Sequence, residues 1–121
     1  MKWIAILLLV TSSIAAAETE LEFHLCSSYV QKSAVGEQTE GGWPVFVELT
    51  GLGANSFENF TEANVGRMSR IFVDGRQFSR ATIWMSISGG NVYGKFSSRE
   101  VAMAWQRTLV DELPSALCGA N

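Results

Sequence analysis

Apolar and polar residues alternate in several short stretches of the chain, with the period of two that is typical of β-strands. These stretches are, in chain order, 21–26, 45–49, 70–74, 81–87 and 92–96. The alternation is clearest in 81–87, where Ile83 and Met85 share one side. Asp74-Gly75 precedes that stretch and is a typical hairpin turn. The pattern therefore predicts about four or five strands.

Two other segments carry apolar residues at helical intervals. The first, 54–65, places phenylalanines on one stripe and is followed by Gly66, a typical helix stop. The second begins at Ser97 and Glu100, whose spacing forms a capping box, and its apolar stripe includes Trp105. Pro114 ends this second helix.

These elements predict an α+β domain with a mostly antiparallel sheet of four or five strands and two helices on one face, in the order β-β-α-β-β-α. The polar, glycine-bearing segment 31–42 is predicted to be a solvated loop. We expect strand and helix residues that face each other to form the core. The predicted core residues are Val47, Phe57, Phe60, Ile71, Val73, Ile83, Met85, Trp105 and Leu109.

The N-terminus has the pattern of a secretory signal peptide. Lys2 precedes an apolar run, and the small residues 15–17 offer a cleavage site after Ala17. A membrane anchor is the alternative, but the run is shorter than the roughly 20 residues that span a bilayer. We expect a signal peptide over 1–17 and a single periplasmic or secreted domain over 18–121, with no stable membrane insertion after cleavage.

The net charge indicates which partners are unsuitable. It is −3 for the whole chain, and it becomes −4 after cleavage because Lys2 is the one charged residue in 1–17. An acidic surface disfavours binding to nucleic acid or to anionic membranes. We therefore expect a polypeptide or protein partner and no nucleic acid, with the oligomeric state left open.

Cys26 and Cys118 are the two cysteines and lie near the two ends of the predicted mature domain. In an exported protein such a pair is expected to form a disulfide. Their spacing fits no zinc or redox motif, and a pair of buried free thiols is the alternative.

Residues that carry catalytic chemistry are scarce. His24 is the single histidine, and the acidic residues are scattered without ligand spacing. Gly51-x-Gly53 lacks the third glycine of a dinucleotide-binding turn and the lysine of a phosphate loop. We therefore expect no enzyme activity, no catalytic, cofactor-binding or metal-binding residues, and no cofactor.

Strand alternation predicts an aromatic surface on the sheet face opposite the helices. Its members are Phe46, Phe72, Trp84 and Tyr93. An exposed apolar surface usually marks an interaction site, so these residues are the candidate partner-binding site, with Trp84 as its central anchor. Alternatively, the segment 31–42 with Trp43, or a second copy of the chain, covers this face.

The order of these motifs resembles the first periplasmic (P1) head subdomain of the SecD/SecDF family. That family shows a strand ending in Leu-Thr or Leu-Asp, a helix with F-x-x-x-T-x-x-N-[IV]-G, a strand ending in V-D-G, a glycine-rich strand, and a helix that opens on T-x-x-E-A. The corresponding residues here are Leu49-Thr50; Phe57, Thr61, Asn64, Val65 and Gly66; Val73-Asp74-Gly75; Ile87, Gly89, Gly90, Gly94 and Phe96; and 97–102. The segments 21–25 and 113–117 are similar to those that flank the family's head.

The resemblance implies a freestanding head domain that binds polypeptide and assists protein export or envelope folding. The family's head is thought to grip emerging polypeptide while protons cross the membrane, and the cysteine pair is not part of its pattern. A small secreted inhibitor or immunity-type protein that binds one specific partner is the alternative function, and an enzyme is a distant third.

Overall fold

A computed structural model describes residues 20–120, which form seven strands and two helices. The elements are β1 Leu21–Leu25, β2 Val30–Val35, β3 Trp43–Leu49, α1 Gly51–Ala63, β4 Met68–Val73, β5 Arg76–Thr82, β6 Asn91–Phe96, α2 Arg99–Asp111 and β7 Gly119–Ala120. Thr50 and Ser98 cap the two helices through their side-chain oxygens. The second helix therefore begins one residue later than predicted, because Ser98 and not Ser97 is its cap.

The strands form two sheets, which confirms the predicted α+β class and divides the predicted single sheet in two. One sheet has the order β5-β4-β1-β7 and the other the order β2-β3-β6. β1 and β4 are parallel, and every other described pairing is antiparallel. The hairpin between β4 and β5 turns at Asp74-Gly75, where both residues have positive φ, as predicted.

The core lies between the inner faces of the two sheets and the two helices. Phe23 at its centre contacts Phe57 and Phe60 of α1, with ring centroids 5.1 Å apart in both pairs. On the other helix, Trp105 packs edge-on against Phe78 of β5. Eight of the nine predicted core residues are buried: Val47, Phe57, Phe60, Ile71, Val73, Ile83, Trp105 and Leu109.

The ninth, Met85, is 68% exposed, and the strand predicted over 81–87 is wrong beyond Thr82, because β5 spans Arg76–Thr82. β5 ends at Thr82, and 83–90 has no regular structure. The reason is the course of the segment that precedes β4. Gly66 donates its N–H to the Ile83 carbonyl, but beyond that point the chain turns back into α1. Residues 84–89 therefore have no strand to pair with, and alternation alone does not make a strand.

The prediction of a loop over 31–42 is also wrong for its first half. β2 pairs with β3 along its length, with an irregularity between Val30 and Lys32. It is an edge strand with largely exposed polar residues. Such a strand buries too little of either face to show clear alternation.

A disulfide joins Cys26, just after β1, to Cys118, just before β7. β7 then adds two residues to the edge of β1, pairing Ala120 with Phe23 and Gly119 with His24. The predicted signal peptide, 1–17, lies outside the described residues. Within 20–120, neither helix has the length and hydrophobicity that crossing a bilayer requires.

Candidate functional site

A groove of about 480 Å³ lies between β5 and β6, and we call it the edge groove. Residues 77–83 line one wall and residues 91–95 line the other. A strand that presents one face to a cavity contributes every second residue. Here consecutive residues line both walls, so the backbone edges of the strands face the groove. This agrees with the strand order, in which β5 and β6 each end a sheet.

Small side chains and a bulge in β5 account for the groove. The pairing with β4 shifts register next to Phe78, and beyond it Ser79 and Ala81 lie opposite Ile71 and Ser69. Neither small side chain fills the space between the sheets. At the other end β6 closes the gap, because a Cβ at Gly94 would lie 2.7 Å from the Phe78 carbonyl oxygen. That approach requires glycine.

An aromatic pair stands beside the groove on the outer face of the three-stranded sheet. Phe46 and Tyr93 are cross-strand neighbours, with ring centroids 6.1 Å apart. They are 50% and 53% exposed. Tyr93 also lines the edge groove. The Phe46 ring lies over Gly36, where any Cβ would come within 2.6 Å of it.

The structure separates the other two predicted surface residues from this pair, so the prediction of one aromatic sheet face is wrong. Trp84 is 79% exposed but lies in the loop 83–90 and not on a strand. The neighbouring Ile83 and Ile87 line the edge groove, which places this loop at the groove's end. Phe72 belongs to the other sheet, where it stacks on His24 at 5.2 Å.

The outer face of the four-stranded sheet carries a network of charged residues. Arg70 bonds to Glu22 at 3.1 Å, and its guanidinium lies 5.0 Å from the centre of the Phe72 ring. His24 Nε2 lies 3.2 Å from a Glu22 oxygen. The side chains of Phe72 and of His24, the single histidine, therefore both have contacts within this network.

Glu20 and Arg80 form the shortest ion pair among the described residues, at 2.7 Å. Arg80 donates two hydrogen bonds to the Glu20 carboxylate, at 2.9 and 2.7 Å. These hydrogen bonds hold the pKa of Glu20 below its ordinary value and raise the pKa of Arg80. Arg80 therefore reaches the groove rim with its charge already paired.

Within residues 20–120, no three His, Cys, Asp or Glu side chains are grouped as a metal site would require. The edge groove itself has no carboxylate among its lining residues, and its cations are Arg80 and Lys95. Its buried hydroxyls already have partners. Thr61 Oγ1 accepts a bond from the Ile87 amide, and Ser69 Oγ donates to the Ala81 carbonyl. The edge groove therefore presents apolar side chains, open strand edges and a weak positive charge to a bound molecule.

Sequence reasoning identified Phe46 and Tyr93 but missed the groove beside them. The signal was present in the run from Arg76 to Thr82, whose polar residues are poorly suited to a central strand. A polar strand after a hairpin indicates a sheet edge. The second wall was not predictable, because it depends on how two separate sheets approach each other.

Comparisons with known proteins agree with this fold. Residues 14–104 match the family model described as SecDF, P1 head subdomain. The protein translocase subunit SecD of Leptotrichia buccalis is 38% identical over 72 residues, which cover 57% of this chain and 18% of that protein.

Two solved structures share the fold over 78% of this chain, each at 25% identity. One is described as a membrane component SecDF that enhances protein export, with a TM-score of 0.65 and 43% of its chain covered. The other is SecDF in a super-membrane-facing form, with a TM-score of 0.64 and 13% covered. The chain thus spans less than half of each of these relatives. Because the family model matches well over half of its 121 residues, the chain belongs to the family of SecDF P1 head subdomains.

Proposed function

We propose that this domain binds unfolded polypeptide in the periplasm, without catalysing a reaction, and so assists protein export or envelope folding. The observation that carries the proposal is the exposed Phe46–Tyr93 pair beside the edge groove. Membership of the SecDF P1 head family supports it, since a SecDF relative is described as enhancing protein export.

The physical basis is the combination of exposed aromatic rings with an apolar groove. Contiguous exposed apolar surface in a small soluble domain usually marks an interaction site, and rigid aromatic side chains are frequent anchors. Trp84 and Met85 lie in the loop at the end of the groove and add exposed apolar surface there, at 79% and 68% exposure. Aromatic and methionine side chains suit varied unfolded sequences, because neither requires one particular polar partner.

Equilibrium binding to a permanently unfolded protein tests this function. The probe is reduced and carboxymethylated α-lactalbumin, with the native, disulfide-intact form as its folded counterpart. Wild type should bind the unfolded form and not the native form. Trp84→Ala and Tyr93→Ala should each weaken binding by about tenfold or more, which is about 1.4 kcal/mol, with little change in melting temperature.

Val110→Ala is the matched control, because Val110 is an exposed apolar residue on α2, 56% exposed, outside the groove lining. It should leave binding unchanged. Equal losses in all three variants, or no binding by wild type, would refute the proposal. Capture of one stoichiometric folded partner from periplasmic extract, with no affinity for unfolded chains, would instead favour an inhibitor or immunity-type protein.

A further inference from the structure

The edge groove has the features of a strand-addition site, and we propose that an extended segment of the bound polypeptide pairs with β5 as a further strand of the four-stranded sheet. This inference rests on the proposed function and specifies how the polypeptide is held. Strand addition to an open sheet edge supplies main-chain hydrogen bonds that do not depend on sequence.

The hydrogen bonds around Ile83 show which backbone groups of β5 are open. Ile83 donates its N–H to Arg67 and accepts from Gly66, so both of its backbone groups point toward the β4 side. In an antiparallel pair this orientation alternates from residue to residue. Ala81 therefore also points toward β4, and its carbonyl accepts a bond from Ser69 Oγ. Arg80 and Thr82 consequently direct their N–H and C=O groups into the groove.

The side chains around the groove define the segment that fits. A strand paired with β5 points alternate side chains inward, toward the buried Phe78, Ile83 and Val92. The other set points outward, toward the rim, where Tyr93 and Lys95 are exposed. The site thus favours a segment that alternates apolar residues with polar ones.

Lys95 gives the site a preference for a negatively charged side chain in the bound segment. Among the described residues no carboxylate forms an ion pair with it. Arg80, the other cation of the lining, is already bonded to Glu20. An acidic side chain at an outward position of the bound segment therefore complements the rim. Rim charges of this kind select partners more than they add affinity.

Proline at Thr82 tests the pairing from the protein side. Thr82→Pro removes an N–H that faces the groove and leaves the hydrogen bonds to β4 in place, which is the position on an edge strand where proline is tolerated. Thr82→Val changes the side chain but keeps the N–H, and is the matched control. With the unfolded α-lactalbumin probe, Thr82→Pro should weaken binding by about tenfold or more, and Thr82→Val by less than about twofold.

N-methylated peptides test the pairing with the unaltered protein, so a Thr82→Pro variant that fails to fold does not remove the test. The probe is a capped peptide of alternating valine and threonine with one central aspartate at an outward position. The inward valines specify its register, so only one of the two alternating sets of amides bonds to β5. Methylating that set should abolish binding, while methylating the other should leave most of it. Replacing the aspartate by lysine should weaken binding to wild type but not to Lys95→Gln.

The outcomes separate this inference from the proposed function. If wild type and a folded Thr82→Pro bind the unfolded protein equally, or if both methylation patterns have the same effect, strand addition is overturned while polypeptide binding stands. If wild type binds no unfolded protein, both proposals fail. A wild-type dimer that dissociates in Thr82→Pro would assign the β5 edge to a second copy of the chain and overturn the inference.

Discussion

Removing the Cys26–Cys118 disulfide should destabilise the domain strongly, and the structure sets the size of the effect. The two cysteines are separated by 92 residues, so the bond closes a loop that contains nearly the whole described chain. In the chain-entropy model, closing a loop of this length stabilises the fold by about 4–5 kcal/mol. The bond also holds β7 against β1, where only two residue pairs form.

The perturbation is the double substitution C26A/C118A, which avoids leaving one unpaired thiol. Measured losses are often smaller than the entropic limit, so we expect a loss of about 2–5 kcal/mol in the free energy of unfolding. For a domain of about one hundred residues, at about 4–6 °C per kcal/mol, this lowers the melting temperature by roughly 8–30 °C. Urea denaturation and calorimetry at neutral pH measure the two quantities.

Two controls separate the effect of the disulfide on stability from the effect of the side chains around it. Wild type treated with reductant should unfold like C26A/C118A, and reductant should have no effect on the variant. Ser28→Ala removes a hydroxyl that lies 3.3 Å from the Cys26 sulfur but keeps the disulfide, and should change stability by less than about 0.5 kcal/mol. Amide exchange at Phe23 and His24, which pair with β7, should accelerate in the double variant.

The reasoning is refuted if the oxidised wild type and C26A/C118A differ by less than about 1 kcal/mol. Two free thiols, found by non-reducing mass spectrometry in protein isolated from the periplasm, would show that the bond does not form there. The first result would mean that the bond contributes little to stability, and the second would leave β7 without the covalent anchor that the structure assigns to it.

Three further variants test the corrected strand and the ion pair. Ile83→Ala should cost about 2–4 kcal/mol in urea denaturation because Ile83 is 4% exposed, whereas Met85→Ala should cost less than about 0.5 kcal/mol; similar losses would mean that β5 continues past Thr82. Glu20→Gln should be less stable than wild type at pH 7, because the pKa of Glu20 is lowered in the folded state by its bond to Arg80. Ionised Glu20 stabilises the fold above its unfolded pKa, and this contribution disappears as the pH falls through the folded value. A stability difference that persists in strong acid contradicts this assignment.

The candidate site shows how far alternation predicts structure and where it fails. Phe46 and Tyr93 lie on strands that were predicted correctly, and they do share one exposed face. Trp84 belongs to an equally regular alternating run, yet it lies in a loop. The difference is the presence of a partner strand. β3 pairs with β6 beside the first two residues, whereas residues 84–89 have no partner strand in the described part of the chain.

The sequence by itself determined the elements that depend on local interactions. These include β1, β3, β4, the two helices with their buried stripes, and the hairpin at Asp74-Gly75, because periodicity and turn chemistry act over a few residues. Only the tertiary structure decided where β5 ends, that the strands divide into two sheets, and that Phe72 lies apart from Phe46. It also created the edge groove, because a cavity between β5 and β6 depends on the approach of two sheet edges that are hydrogen-bonded to other strands. Such pairing is non-local, and no short stretch of the chain contains the information that specifies it.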